Sequence, residues 1–257
     1  MITSVNNLKI KHVINLLKHS KLRREEKLFV TEGLRIFEET PDDIIKECFV
    51  TERFYGEYTD KGRLKSLPLE IVAEDVFKKM SDTVCPQGVL TVVKAKTYSY
   101  NPEETEKALM LLLEDIQDPG NLGTLIRTAE GAGVSMVVMS KGTVDIFSPK
   151  VIRSTMGAIF RVPFMYVESM PDFEAELKKA DISVYAAALN EQCDYTGADY
   201  TKPCAILIGN EGNGLSKEAI ENAGETVTIP MCGKVESLNA AVSGAIIMYE
   251  ANRQRRN

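Results

Sequence analysis

The chain has 257 residues, 44% of them apolar and 26% charged, with a formal net charge of −6. That size suits one large or two modest domains, and no apolar run approaches the roughly 20 residues that a bilayer-spanning helix needs. Five cysteines (Cys48, Cys85, Cys193, Cys204 and Cys232) without a CxxC pair argue against a disulfide framework or a zinc site. Together with a polar start that has no signal-peptide core, they set the expectation of a soluble cytoplasmic protein that binds no metal.

A mildly acidic balance does not by itself suggest a nucleic-acid partner, but the charge is unevenly placed. Residues 1–27 carry Lys9, Lys11, Lys18, Lys21, Arg23, Arg24 and Lys27 against Glu25 and Glu26, whereas residues 101–257 carry 14 Lys and Arg against 22 Asp and Glu. A basic arm on an acidic body is either a footprint for phosphates or a solvated helix face, and charge alone does not separate the two. Residues 7–20 space Leu8, Val13, Leu16 and Leu17 as one apolar helix face. A strand at 28–31, Glu32-Gly33, a helix at 34–39, strands at 45–51, 69–73 and 89–94, and a helix at 75–81 complete a small α/β unit. The polar, proline-containing stretch 97–104 reads as a linker, giving expected domains at 1–96 and 105–257.

The second half alternates strongly. Strands are expected at 108–113, 135–139, 162–167, 183–188, 205–208 and 227–229, with helices at 122–131, 150–156, 172–180, 217–223 and 238–253. Such β-α repetition predicts an α/β fold with a mainly parallel sheet covered on both faces, whose ligands bind at the carboxyl ends of the strands.

Several chemistries are eliminated. No GxGxxG follows a strand, and there is no GxSxG elbow. Gly233-Lys234 is followed by Val235 instead of the Ser or Thr of a phosphate-binding loop. Both histidines, His12 and His19, sit in the N-terminal helix, which removes histidine general-base chemistry from the larger domain. Three clusters remain, each after an expected strand. In the first, Asp118-Pro119-Gly120 turns the chain, Asn121 is placed to cap a helix, and Arg127 projects about two turns in. The second, Gly209-Asn210-Glu211-Gly212-Asn213-Gly214, allows close backbone approach to a ligand. The third runs from Ile229-Pro230-Met231 through Gly233 to Ser237-Leu238-Asn239 and opens the last helix. Taken singly, each glycine loop also reads as an ordinary turn.

Together the clusters resemble the three motifs of the SpoU (TrmH-like) RNA ribose 2′-O-methyltransferases of the SPOUT superfamily, and Arg153-Ser-Thr-Met-Gly157-Ala158 is similar to the family's intermediate motif. The resemblance covers most of residues 108–252. The basic start and Glu32-Gly33 resemble the ribosomal-protein-like (L30e-like) substrate-binding domain that many members carry. This implies a C-terminal trefoil knot, a homodimer, and S-adenosylmethionine held by Gly209, Asn210, Gly212, Ile229, Met231, Ser237 and Leu238. It further implies a catalytic set of Arg127, Asn121, Glu211, Ser237 and Asn239, and an RNA-binding set of Lys9, Lys11, Lys18, Lys21, Arg23 and Arg24. A ribose hydroxyl is a poor nucleophile, and an arginine is cationic in proteins, so Arg127 fits stabilisation of a developing alkoxide, or orientation of the adjacent phosphate, better than proton abstraction. Ser237, read as the start of the last helix, is placed to hold an RNA phosphate. The expected reaction is methyl transfer to large-subunit (23S) ribosomal RNA. A tRNA ribose methyltransferase and a non-catalytic RNA-binding or ribosome-assembly factor are the alternatives.

Overall fold

The computed structural model describes residues 1–102, 107–189 and 193–256. In chain order the first stretch forms α1 (Leu8–Lys18), α2 (Ser20–Glu26), β1 (Leu28–Glu32), α3 (Leu34–Glu39), β2 (Ile45–Thr51), α4 (Glu52–Glu57), α5 (Lys61–Ser66), β3 (Leu69–Val72), α6 (Glu74–Met80) and β4 (Val89–Lys94). There follow β5 (Leu109–Leu113), α7 (Pro119–Ala132), β6 (Met136–Ser140), α8 (Pro149–Thr155), β7 (Phe164–Val167), α9 (Met170–Lys179), β8 (Ser183–Ala187), β9 (Cys204–Ile208), α10 (Lys217–Ala223), β10 (Gly224–Val227) and α11 (Ala240–Arg256). Glu103 and Glu104 of the expected linker, with Thr105, lie outside the described residues. The chain divides into Met1–Lys96 with Asp145–Phe160, and Thr97–Val144 with Arg161–Asn257. Residues 145–160, expected inside the second domain, therefore cluster with the first unit.

The first unit is built on a four-stranded sheet in the order β1-β4-β2-β3, with β3 parallel to β2 and the other pairs antiparallel. Strand alternation feeds two cores. Phe49 packs with Ile10, Val13 and Leu16 of α1 and with Val76 and Phe77 of α6, while Cys48 and Val50 pack with Phe37 and Leu64. Leu8, expected on the apolar face of α1, is 82% exposed, and Ile10 takes its place. Asn7 caps α1 by accepting from Lys9 N at 2.9 Å, which turns the 10/13/16 stripe inward.

Arg23 departs from its expected role as an RNA contact. It is 5% exposed, donates from Nε and Nη2 to Asp145 Oδ2 at 2.9 and 2.6 Å, and donates from Nη1 to the carbonyls of Leu16 and Leu17. Its guanidinium is a bracket between the end of α1 and the inserted segment 145–160. In that segment Phe147 stacks on Phe29 of β1 with centroids 4.6 Å apart. Arg153 donates to Asp82 at 2.8 Å, and Gly157 (φ +90°) lies against Glu39, where a Cβ would come within 2.8 Å of its side chain.

The second unit holds a six-stranded sheet in the order β10-β8-β9-β5-β6-β7, parallel throughout. Every residue of β5 (LMLLL) and β9 (CAILI) is buried, as a strand covered on both faces requires. β9 inserts between β5 and β8, although β6 and β7 intervene in the chain. On α11, Ala241, Gly244 and Met248 turn inward against α7, and a Cβ on Gly244 would lie 2.5 Å from Leu125. These residues are thus part of an internal core.

Two boundaries near the carboxyl end differ from expectation. The edge strand is Gly224–Val227, not 227–229. Gly224 (φ +79°) ends α10 and feeds β10 at once, and Thr228 instead receives Tyr195 N and donates to Cys193 O. α11 starts at Ala240 because Asn239 occupies its cap, accepting from Ala241 N and Val242 N.

Candidate active site

The carboxyl ends of β8, β9 and β10 open onto a cavity of about 460 Å³. Ala187 to Leu189 form one wall and Ile208 to Leu215 a second. A third comes from Val227, Ile229, Met231 and Glu236 to Leu238, with Ile247 of α11 behind. Gly209, Asn210, Gly212, Ile229, Met231, Ser237 and Leu238, singled out in the sequence as cofactor contacts, all border this space.

The second loop has its shape for identifiable reasons. A Cβ on Gly209 would lie 2.5 Å from the backbone of Gly214 and Leu215, so only glycine permits the loop to fold back so closely. Asn210 and Gly214 exchange both backbone hydrogen bonds, at 3.1 and 3.0 Å. The Asn210 side chain is consumed within the protein: Oδ1 accepts from Gly212 N and Asn213 N, and Nδ2 donates to Asp115 O at 2.8 Å. Asn210 therefore shapes the loop and has its side chain engaged there.

A polar network ties the three clusters together. Glu211 accepts from Gln117 N through Oε2 and from Asp118 N and Asn121 Nδ2 through Oε1, all at 2.9 to 3.0 Å. Asn239 Nδ2 in turn donates to Asn121 Oδ1 at 2.9 Å. Partial burial works against ionisation of Glu211, but the hydrogen bonds from Asn121, Gln117 and Asp118 outweigh it and hold the carboxyl below the usual glutamate range. A carboxylate held this way anchors the 117–118 backbone and the Asn121 side chain and is a poor proton acceptor.

Asn121 does not cap α7. Asp118 is the cap, accepting from Asn121 N at 2.9 Å, and Pro119 occupies the first turn, where its missing N–H costs nothing. The Asn121 side chain is thereby released to face Glu211. Ser237 is not at a helix start either: it is exposed in the loop before α11 and lines the cavity. Arg127 stands apart. It is exposed on α7, does not line the cavity, and lies six residues beyond Asn121, about 9 Å along the axis and turned roughly 120° away. The structure thus brings Asn121, Glu211 and Asn239 together and leaves Arg127 outside their network. Ala187 to Leu189 and Ile247 were missed in the sequence because small and aliphatic side chains carry no motif signal.

The cavity fits a cationic, partly apolar nucleoside. Its size is that of a small-molecule site. Ile208, Ile229, Leu238 and Ile247 offer apolar walls for an adenine, and the charged residues among its described lining are Glu211 and Glu236, both acidic. That sign suits a sulfonium and disfavours a polyphosphate.

The SpoU rRNA Methylase family model matches residues 108–249, and the MRM3-like substrate binding domain model matches residues 7–91. The 23S rRNA (guanosine(2553)-2′-O)-methyltransferase RlmP of Bacillus subtilis (strain 168) is 33% identical over 96% of this chain and 97% of its own length. The mitochondrial rRNA methyltransferase 3 of Homo sapiens is 29% identical over 96% of this chain and 73% of its own. The AdoMet-bound rRNA methyltransferase structure from Sinorhizobium meliloti superposes with a TM-score of 0.83 at 28% identity, covering 98% of this chain and 97% of that one. A family model spanning more than half of the residues, with loops that gather as its chemistry requires, leads to one assignment: the chain belongs to the SpoU rRNA methylase family.

Proposed function

We propose that the protein transfers a methyl group from S-adenosylmethionine to a ribose 2′-hydroxyl of large-subunit (23S) ribosomal RNA. The observation that carries this reading is the convergence of three loops on one acidic-lipped, apolar-walled cavity, locked by the Asn121–Glu211–Asn239 network. Bound S-adenosylmethionine supplies an electrophilic methyl on a sulfonium. The residues of the chain do the rest. Backbone groups of Gly209, Gly212 and Met231, with the Ile229 and Leu238 side chains, hold the nucleoside, and Glu211 keeps the second loop against α7. Ser237, at the cavity rim, receives the ribose-phosphate side of the substrate. Arg127 stabilises the oxygen charge that develops as the hydroxyl loses its proton to solvent.

The position of Arg127 outside the network supports a second copy of the chain as part of the working enzyme, with the arginine of one protomer serving the cavity of its partner. Insertion of β9 between β5 and β8, followed by return of α11 onto α7 and β9, supports a trefoil knot. Residues 1–96 serve as an L30e-like RNA-binding domain, joined by the linker at 97–104 to a methyltransferase domain over 105–257. The RNA contacts of the N-terminal domain come from exposed Lys11, Lys18, Lys21 and Arg24, with Lys9 held partly by Glu70. No helix among the described residues is long and apolar enough to cross a membrane, and His, Cys, Asp and Glu nowhere group there as metal ligands. We place the reaction in the compartment of the ribosome, the cytoplasm in a bacterium.

The test is transfer of labelled methyl to unmodified 23S rRNA by the purified chain, with tRNA as a parallel substrate. Label in a 2′-O-methylnucleotide of the rRNA, lost in Arg127→Ala with cofactor binding retained, is the expected result. Label on tRNA alone would reassign the substrate. No label on either, despite cofactor binding, would return the protein to the assembly factors.

A further inference from the structure

The loop after β5 meets the cofactor loop after β9 at several points, and one of its residues holds an unusual backbone. Asp115 has φ +56°, the left-handed region that residues with a Cβ rarely adopt, although aspartate tolerates it better than most. A residue kept there must be over-determined by its surroundings. It is: Ser140 Oγ donates to Asp115 Oδ1 at 2.6 Å and accepts from Asp115 N at 2.8 Å. On the far side the carboxylate lies against the backbone of Gly142, where a methyl group would overlap it.

The consequence is the direction of one carbonyl. Asp115 O accepts from Asn210 Nδ2 at 2.8 Å and from Gln117 Nε2 at 3.3 Å. Asn210 is the residue whose Oδ1 gathers the N–H groups of Gly212 and Asn213 and so sets the loop lining the cavity. An ordinary right-handed or extended Asp115 would turn its carbonyl elsewhere and leave Asn210 Nδ2 without that acceptor.

We propose that Asp115, clamped by Ser140, is a positioning residue for the cofactor: its left-handed backbone orients Asn210 and thereby presets the second loop of the S-adenosylmethionine pocket. Nothing in the motif pattern selects Asp115 or Ser140, and neither touches the reacting atoms. The inference rests on the cofactor reading of the cavity given above.

The test uses the full chain and S-adenosylmethionine, with direct binding by calorimetry and steady-state methylation of 23S rRNA. Asp115→Ala, which strains the left-handed backbone and loses the Ser140 bond, raises the Kd and the KM for S-adenosylmethionine about 10-fold, with kcat at saturation within about 2-fold. Asp115→Asn keeps both features and stays within about 2-fold of the parent. Asp115→Gly keeps the backbone and its N–H bond to Ser140 but loses the carboxylate half of the clamp, so it falls between them, as does Ser140→Ala. If Asp115→Ala is too unstable to purify, the Gly and Ser140→Ala variants carry the test. Unchanged Kd in all soluble variants, or a fall in kcat with Kd unmoved, overturns the inference. Absence of S-adenosylmethionine binding by the parent chain would instead overturn the cofactor reading.

Discussion

Asn239 Nδ2 donates to Asn121 Oδ1 at 2.9 Å across 118 residues of sequence, while Asn239 Oδ1 caps α11 through Ala241 N and Val242 N. One side chain thus starts the last helix and orients the asparagine that holds Glu211. Asn239→Ala removes both functions. The cap alone contributes about 1 kcal/mol, so the melting temperature should fall by roughly 2–4 °C for a chain of this size. Affinity for S-adenosylmethionine should fall as well, and Asn239→Ser, which keeps a capping oxygen, should recover the melting temperature but not the affinity. Equal recovery of both would separate Asn121 from the cofactor loop.

Glu211 gives a pH dependence with a defined sign. Its folded carboxyl is held below the ordinary value of 4.5 by Asn121 and two backbone N–H groups, against the effect of partial burial. The ionised form therefore contributes stability that is present above about pH 4.5 and lost as pH falls through the lower folded value. Glu211→Gln should flatten the acid limb of the melting-temperature profile and weaken cofactor binding at neutral pH. An acid limb identical to that of the parent would show that this carboxylate is not among those whose protonation loosens the loop.

Glu174 behaves in the opposite sense. It is fully buried on α9 with no hydrogen-bond partner for either carboxylate oxygen among the described residues. Burial, reinforced by Glu114 and Glu218 and opposed by Lys178, pushes its carboxyl up to about 8. The folded state thus retains a proton that the unfolded chain releases, and stability declines as pH rises from about 4.5 to about 8. A shift of this size corresponds to at most roughly 5 kcal/mol. Glu174→Gln should gain stability over the parent at pH 8 and gain little at pH 5, measured by urea unfolding. A gain independent of pH would assign the effect to packing.

Arg23 and its lysine neighbours should separate cleanly. Removal of a buried, paired arginine strands Asp145 and two carbonyls, so Arg23→Ala should cost about 3–5 kcal/mol of stability. Replacement of exposed Lys18 and Lys21 by Gln should leave unfolding unchanged and reduce the salt slope of RNA binding by about one to two units of log K per log salt. A stable Arg23→Ala with weakened RNA affinity would restore Arg23 to the surface role its charge suggests.

These cases show what the sequence carries and what it withholds. The five-residue apolar runs of β5 and β9 are legible because both faces are buried, and the three loops are legible because glycine and asparagine are needed where backbone turns tightly. The short helices α2, α4 and α5 escape the sequence reading, although α3 and α6 of equal length do not, so length alone is not the reason. Arg23 looks like its neighbours in a basic run, because its partner Asp145 is 122 residues away. Asn121 resembles a cap until Asp118 is seen to take that place. Pairings of this kind depend on tertiary approach, which no local pattern encodes.

The central place of β9 has a consequence for how the chain is made. Until residues 204–208 leave the ribosome, β5 and β8 have no strand between them, and Leu109–Leu113 and Ser183–Ala187 each present an unpaired edge. Such edges are templates for pairing with other chains, and long-range parallel pairings form slowly. The strand that leads into the second loop of the cavity is also the one that joins the two halves of the sheet. Nascent chains stalled before Cys204 are therefore expected to be the most prone to such pairing, and the cavity is completed only after Val227 to Leu238 and Ile247 have followed.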